Sequence, residues 1–420
     1  MLTFSPLSQI IQADEHRYFK NVLKLLVRVT ELHHPICQHL SYRIALMALQ
    51  LGTDLKFNPE RLRHLFYAAL LHNLGRFDAT HPFVFLSSSL QPLTAERVVT
   101  RLPSLQLSAA FIRWYAEHWD GSGYPDSLTG DQIPLESQII GISRAIMLCW
   151  LQHNQNLNDA LRAFDVDYHG CFQPELRQRL TQLVRDQPLW ANDIEGGPDR
   201  FHALNLSLID RALLGPTGSH DLVDVLRIFA QIIDAKHRYT LGHSLRVAAL
   251  SKHLAELTGQ IDVEAVEYAG LLHDVGKLGV PLSILDKPGR LEASEMDEIR
   301  HHPVLSDQLI STIPSLTTVA LLARHHHERI DGKGYPDGLS GEEIPLGSRI
   351  LALADTYDAM TSDRAYRKGL SHTEAIAEMS RAAGSSYDRD LVRLFMSLRI
   401  ADIKELFASV KDVMMSTTLP

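Results

Sequence analysis

One stretch of sequence occurs twice in this chain of 420 residues, and the two occurrences are 211 positions apart. Residues 120–126 read Asp-Gly-Ser-Gly-Tyr-Pro-Asp, and residues 331–337 read Asp-Gly-Lys-Gly-Tyr-Pro-Asp. Upstream, Tyr-Ala-Ala-Leu-Leu-His-Asn-Leu-Gly-Arg at 67–76 parallels Tyr-Ala-Gly-Leu-Leu-His-Asp-Val-Gly-Lys at 268–277. Because repeats decide domain architecture, this one predicts two tandem domains that share a fold.

The spacing of apolar residues predicts helices nearly everywhere, and strand-like alternation is scarce. The Gly- and Pro-rich stretches 120–134 and 331–345 are typical of long loops, which in compact domains are often functional. We therefore predict an all-α fold of two tandem helical bundles. The expected boundaries are 1–203 for the first copy, 204–221 for a linker, and 222–420 for the second copy.

Composition restricts the class of partner. The formal charge of −9 argues against a nucleic-acid polymer as the main partner, whereas a small anionic ligand needs only a local basic cluster. The chain has no signal-peptide pattern at its start and no apolar run of about 18 residues, and its three cysteines are far apart. We expect a soluble cytoplasmic protein without a membrane segment.

Two histidine motifs in the second copy indicate a metal site. His326 and His327 are adjacent, and the pair His273-Asp274 precedes them by about fifty residues. Imidazole and carboxylate ligands together suit divalent transition metals such as iron, manganese or zinc, and one carboxylate can bridge two cations. The two motifs therefore predict one shared metal centre.

The second copy resembles the HD-GYP branch of the HD phosphohydrolase superfamily over about 222–395. The resemblance is carried by the ordered motifs Gly242-His243-Ser244, His273-Asp274-Val275-Gly276-Lys277, His302-Pro303, His326-His327, Gly334-Tyr335-Pro336, Asp355-Thr356-Tyr357-Asp358 and 363–368, which reads Asp-Arg-Ala-Tyr-Arg-Lys. A lone His-Asp pair occurs by chance in many chains, whereas seven motifs in order are specific. The resemblance implies an intact HD-GYP domain.

The resemblance also implies a ligand set for two divalent metal ions. One cation is expected at His243, His273, Asp274 and Asp355, and the other at Asp274, His302, His326 and His327, with Asp274 bridging. Iron or manganese is favoured, and zinc, nickel or magnesium is compatible. Some HD-GYP proteins hold a third metal through a glutamate four residues before the first histidine, but Tyr239 stands there in this chain.

The first copy lacks this ligand set. Alignment of the repeats places Asn73 at the position of Asp274, Leu102 at His302, Tyr115 and Ala116 at His326 and His327, and Arg144 at Asp355. A neutral amide cannot bridge two cations as a carboxylate does, and an arginine repels a cation. We predict that the first copy is a degenerate HD-GYP-like domain that binds no metal pair.

The remaining candidates are substrate contacts. Asp274 and Lys277 are the candidate catalytic residues, and Lys277 is also expected to contact the scissile phosphate. The resemblance implies substrate binding by Arg364 and Arg367, and Tyr335 is a further candidate at the site wall. A solvated surface is the alternative for such cations. Asp358 either orients a ligand or caps a neighbouring group.

The leading functional hypothesis is a metal-dependent phosphodiesterase that opens a bacterial cyclic dinucleotide, cyclic di-GMP or 3′,3′-cyclic GMP-AMP, to a linear dinucleotide. Spacing alone supports only a two-metal phosphoester hydrolase; the resemblance implies the substrate. The alternatives are a binding effector that senses the dinucleotide without cleaving it, and a nucleotide phosphatase. A protein partner at the Gly334-Tyr335-Pro336 loop and a homodimer also stay open.

Overall fold

The computed structural model describes Leu25, Val27 and residues 40–77, 91–102, 105–186, 222–235, 242–287, 289–363 and 368–417. Within these ranges the chain forms helices joined by loops, and they contain no β-strand, only an isolated bridge between Ala383 and Tyr387. The all-α prediction is therefore confirmed. A search of the same ranges finds no helix with the length and apolarity needed to cross a bilayer.

The chain divides into two compact units. One extends over Thr30–Gly218, and the other combines Met1–Val29 with Ser219–Pro420. The predicted linker 204–221 lies outside the described residues, so the boundaries proposed from the sequence stay predictions.

The first copy contributes seven described α-helices. They are α1 Leu40–Asp54, α2 Pro59–Leu71, α3 Gln91–Arg101, α4 Gln106–Arg113, α5 Leu135–Gln152, α6 Leu157–Asp167 and α7 Pro174–Asp186. Short 3-10 turns occupy His72–Phe77 and Gly130–Gln132.

The second copy contributes eleven described α-helices. They are α8 Leu222–Ala235, α9 His243–Thr258, α10 Val263–Leu272, α11 Leu282–Leu285, α12 Ala293–Arg300, α13 His302–Ile310, α14 Thr317–Arg324, α15 Leu346–Thr361, α16 His372–Arg381, α17 Arg389–Met396 and α18 Ile400–Thr417. Its 3-10 turns are Val275–Gly279, Pro314–Leu316 and Gly341–Glu343.

Equivalent helices pack in the same way in the two copies. Helix α1 packs against α2 and α5, and α9 packs correspondingly against α10 and α15. The side chain of Asn58 caps α2 and that of Asp262 caps α10, each by accepting a backbone N–H three residues later. Both capped helices run into the histidine of the repeated motif, His72 or His273, so the repeat places that histidine equivalently in each bundle.

The turn after α10 is held against α13 by a close backbone approach. A Cβ on Gly276 would lie 2.0 Å from the carbonyl oxygen of His302, which only glycine avoids. Ser306 donates to the carbonyl of His273 at 2.7 Å and accepts from the N–H of Gly276 at 2.9 Å. These contacts fix the turn that follows His273 and Asp274 relative to the first residue of α13.

Candidate metal centre

The seven predicted ligands come from five places in the second copy and meet in its interior. His243 begins α9, His302 begins α13 and Asp355 lies within α15. The pair 273–274 directly follows α10, and the pair 326–327 follows α14 after one intervening residue. Their ligand atoms form three overlapping groups, each within 4.8 Å: His302, His326 and His327; His243, His273 and Asp355; and His273, Asp274 and His326. The structure thus brings together all seven residues.

Asp274 lies at the centre and directs its two oxygens to different histidines. Its Oδ2 lies 3.3 Å from Nε2 of His273 and 3.7 Å from Nε2 of His243. Its Oδ1 lies 3.2 Å from Nε2 of His302 and 4.0 Å from Nε2 of His326. A carboxylate in this position can be shared between two cations.

Backbone carbonyls fix the orientation of three of these imidazoles. The Nδ1 atoms donate to carbonyl oxygens three residues earlier, from His273 to Gly270 at 2.9 Å, from His302 to Ile299 at 2.6 Å and from His326 to Ala323 at 2.6 Å. Since a carbonyl can only accept, Nδ1 must carry the proton and Nε2 presents its lone pair to the centre. This arrangement orients histidines that bind metals.

A carboxylate performs the same task for His243. Its Nδ1 lies 2.8 Å from Oδ2 of Asp358, and Arg246 donates to both oxygens of that carboxylate, at 2.6 and 3.0 Å. Burial opposes protonation of His243, but hydrogen bonds to Asp355 and Asp358 raise its pKa to about 10. Nε2 of His243 lies 3.3 Å from Oδ1 of Asp355, and a cation bound here would replace the proton on that nitrogen.

Asp274 and three histidines are held in the protonation states that bind metals: His302, His326 and His327. Burial lowers the pKa of His302 and His327, the latter to about 3, and burial together with neighbouring imidazoles lowers that of His326 well below its usual value. Burial opposes ionisation of Asp274, yet electrostatic interactions with His273 and Lys277 hold its pKa well below the usual range. Neutral imidazoles and an ionised carboxylate are the forms that ligate cations.

Buried atoms without hydrogen bonds show that this donor set fits metal ions. Among the described residues, Nε2 of His273, His302 and His326 and Oδ1 of Asp274 are buried and make no hydrogen bond of adequate geometry. Buried polar atoms normally have a partner, and a cation that they bind is a standard reason for an exception. Nitrogen and oxygen donors in this mixture suit divalent transition metals.

The candidate substrate contacts are placed only in part. Nζ of Lys277 donates to Oδ2 of Asp274 at 2.6 Å, and the lysine side chain is about one-third exposed. The ring of Tyr335 stacks at a tilt on that of His327, with 4.8 Å between centroids. Burial and the carboxylates of Asp274 and Asp355 raise the pKa of the Tyr335 phenol. Of the residues discussed for this site from the sequence, Tyr239, Arg364 and Arg367 lie outside the residues that the structure describes.

The loop that carries Tyr335 is built on a buried carboxylate. Oε1 of Glu328 accepts the backbone N–H groups of Asp337 at 2.7 Å and Gly338 at 3.0 Å. Arg324 forms two hydrogen bonds with the Asp337 carboxylate, at 2.7 and 2.8 Å, and Nε2 of His325 lies 2.9 Å from the same group. His325 is buried and supports this loop.

The first copy builds the same loop without the metal ligands. Glu117 accepts the N–H groups of Asp126 at 2.6 Å and Leu128 at 2.9 Å, and Arg113 pairs with Asp126 at 2.9 Å. Its equivalent of Tyr335 is Tyr124, followed like it by a cis proline peptide bond. The loop architecture therefore does not depend on the ligands.

Other side chains fill the ligand positions of the first copy. Nδ2 of Asn73 donates to Ser41 at 3.1 Å, and Leu102 is fully buried. The guanidinium of Arg144 lies 5.8 Å from the ring centroid of Tyr115. Among the described residues, every group with metal-binding geometry lies in the second copy.

Two supporting carboxylates were missed by sequence reasoning. Buried Asp234 on α8 accepts from the backbone N–H of Ser244 at 3.1 Å and from its hydroxyl at 2.7 Å, which holds the first turn of α9. The second is Glu328, which directly follows His327. Asp234 directly follows the apolar pair Ile232-Ile233, and that contrast was an available signal, whereas Glu328 stands among polar residues and offers none.

Comparison with known families matches both copies. The HD domain family model matches residues 24–147 and 227–391. A crystal structure of a cyclic GMP-AMP specific phosphodiesterase from Vibrio cholerae matches with a TM-score of 0.59. The match covers 95% of this chain and 98% of the chain in that structure. At 23% identity, this likeness shows the fold alone.

Curated relatives match at higher identity over shorter lengths. A 3′3′-cGAMP-specific phosphodiesterase 3 of Vibrio cholerae serotype O1 is 33% identical over 274 residues, which are 65% of this chain and 58% of the relative. A cyclic di-GMP phosphodiesterase of the same organism is 34% identical over 327 residues, 72% of this chain and 64% of the relative. The chain thus spans about three fifths of these relatives.

Proposed function

The chain belongs to the HD domain family, in its HD-GYP branch, and on this premise we propose that it is a metal-dependent phosphodiesterase that hydrolyses a cyclic dinucleotide to a linear dinucleotide. The observation that carries the proposal is the position of Asp274 between two sets of histidines. That arrangement matches the requirement of a two-cation phosphoester hydrolase for a shared anionic ligand.

In this proposal the ligands divide as the sequence predicts. Four residues hold one cation (His243, His273, Asp274 and Asp355), and four hold the other (Asp274, His302, His326 and His327). Iron or manganese is the expected metal, because both accept mixed imidazole and carboxylate ligands, and zinc, nickel or magnesium is compatible. Such cations, when bound, lower the pKa of water and neutralise charge on a phosphate.

The residues of the chain bind and orient the substrate at this centre. Asp274 holds its carboxylate ionised beneath the phosphate, and Lys277 can move its ammonium from Asp274 to a phosphate oxygen on which charge develops. Tyr335 forms a wall beside His327 that restricts access by water. Arg364 and Arg367 remain proposed contacts to the substrate.

The substrate class rests on the relatives. Two of them are named for cyclic GMP-AMP and cyclic di-GMP respectively, so we propose either dinucleotide as substrate. A protein partner at the Gly334-Tyr335-Pro336 loop, a homodimer and a cytoplasmic location stay predictions.

Turnover by the full chain tests the proposal. Protein loaded with Mn²⁺ or Fe²⁺ is incubated with cyclic di-GMP or 3′,3′-cyclic GMP-AMP, and the products are separated by chromatography. We expect a linear dinucleotide and no inorganic phosphate. Binding without turnover would identify an effector instead, and phosphate release from mononucleotides would identify a phosphatase.

The variant Asp274→Ala provides the matched test of the centre. It removes the carboxylate placed to bridge two cations, so hydrolysis should fall to background and the metal content should drop. Near-normal turnover of this variant at full metal loading would contradict the two-cation arrangement.

A further inference from the structure

Arg300 is an exposed cation at the rim of the metal centre. It ends α12, two residues before His302, and its side chain is 55% exposed. The guanidinium carbon lies 5.9 Å from the ring centroid of Tyr335, within the range of a cation–π contact. Its ion pair with Asp297 is loose, at 3.6 Å, and well exposed, so it contributes little.

A continuous row of side chains connects Arg300 with the metal ligands. The ring of Tyr335 lies between them, with its centroid 4.8 Å from that of His327. The ring of His327 in turn lies 5.1 Å from that of His302. Arg300 is therefore exposed to solvent and lies one aromatic ring away from the ligand His327.

The first copy offers an internal comparison for this position. Its tyrosine is retained as Tyr124, but alignment of Leu102-Pro103 with His302-Pro303 places Thr100 at the position of Arg300. Thr100 is exposed, and its hydroxyl donates to the backbone carbonyl of Glu96 at 2.7 Å. The copy without metal ligands thus has a neutral side chain at the position of Arg300, which separates the role of Arg300 from the construction of the loop.

We propose that Arg300 binds the phosphate of the cyclic dinucleotide that is not being cleaved. This inference rests on the proposed function, because a cyclic dinucleotide carries two phosphates and the metal centre takes only the scissile one. A planar guanidinium forms paired hydrogen bonds with phosphate oxygens, and a half-exposed side chain can turn towards an incoming anion at small cost. Tyr335 supports the stem of the arginine in that position.

Kinetics on two kinds of substrate test this role. Arg300→Gln is compared with the charge-preserving Arg300→Lys and with Arg393→Gln, which removes another exposed arginine that pairs with an aspartate three residues earlier. Each protein is assayed with the cyclic dinucleotide and with bis(p-nitrophenyl) phosphate, which has a single phosphate. Metal content is measured for every variant.

We expect Arg300→Gln to raise KM for the cyclic dinucleotide about 10-fold or more, within the range for a charged hydrogen bond. Its kcat, its metal content and its KM for bis(p-nitrophenyl) phosphate should not change. Arg300→Lys should recover part of the loss, and Arg393→Gln should match the wild type. An unchanged KM for the dinucleotide, or an equal loss with both substrates, would overturn the proposal.

Calorimetry with a phosphorothioate analogue of the cyclic dinucleotide separates this inference from the proposed function. If the wild type binds the analogue but cleaves neither dinucleotide, the proposed hydrolysis fails, and the role of Arg300 is decided by whether Arg300→Gln weakens binding. If the wild type cleaves the dinucleotide and Arg300→Gln does so with the same KM, only the inference on Arg300 fails. Absence of both binding and turnover overturns both.

Discussion

Four imidazoles of the centre have a described hydrogen-bond partner at Nδ1. In each case this partner is an oxygen that can only accept a hydrogen bond. Carbonyl oxygens are the acceptors for three histidines, whereas His243 has the carboxylate of Asp358. The sequence left the role of Asp358 open between orienting a ligand and capping a neighbour, and the distance of 2.8 Å favours the first.

Asp358→Asn should therefore weaken the metal centre without removing a ligand. The amide keeps the shape but loses the charge that holds the Nδ1 proton of His243 and pairs with Arg246. Loss of such a partner typically costs 10- to 100-fold in metal affinity or activity. Titration with a competing chelator measures the affinity, and thermal unfolding serves as control. A lower melting temperature with unchanged metal affinity would show that Asp358 only stabilises the fold.

At the scale of elements, the Tyr335 loop is a structural unit that both copies build from equivalent residues. A buried glutamate accepts two backbone N–H groups, and an arginine pairs with the aspartate that follows the proline. The sequence could predict the loop from its glycines and prolines, but not the carboxylate beneath it, because a single glutamate carries no pattern.

Glu328→Ala and Glu117→Ala form a matched pair of variants that tests whether the glutamate supports the loop in each copy. Each removes a carboxylate that accepts two part-buried backbone N–H groups, and a hydrogen bond to a charged group contributes about 1.5–3 kcal/mol. Both should lower the free energy of unfolding, measured with urea. Only Glu328→Ala should lower kcat/KM, because its loop carries Tyr335 against His327. Equal catalytic losses in the two variants would contradict the assignment.

The contacts of Asp337 with Arg324 and His325 make the stability of the loop depend on pH. Hydrogen bonds from Arg324 and then His325 lower the pKa of Asp337 from 3.8 to about 2. Because the folded pKa lies below the unfolded value, the stabilisation is fully present above pH 4 and is lost as the pH falls towards 2. The difference in stability between the wild type and Asp337→Asn should shrink over this interval. A constant difference from pH 6 to pH 3 would exclude Asp337 as its source.

For the whole molecule, the internal repeat made the shared fold of the two copies predictable. The other residue types at the ligand positions of the first copy predicted that only the second copy has a metal centre. Ordered motifs identified all seven residues that meet at the centre. A metal ligand must be a histidine or a carboxylate, so these residues can be recognised in the sequence without knowing which groups support them. The supporting groups were harder to find. Asp234 reaches Ser244 and Arg300 reaches Tyr335 only through tertiary packing, and no spacing along the chain encodes those contacts.

The last prediction concerns the first copy. Asn73→Asp restores the carboxylate at the bridging position, but its surroundings offer a buried Leu102 and the ring of Tyr115 where the second copy has imidazoles, and Arg144 places a cation where a carboxylate is needed. A metal pair then lacks ligands on both sides and meets electrostatic repulsion. We expect the variant chain to bind no more metal per molecule than the wild type, measured by elemental analysis, and to gain no activity when combined with Asp274→Ala. Recovery of hydrolysis by that double variant would mean that the first copy retains ligands that the alignment has misplaced.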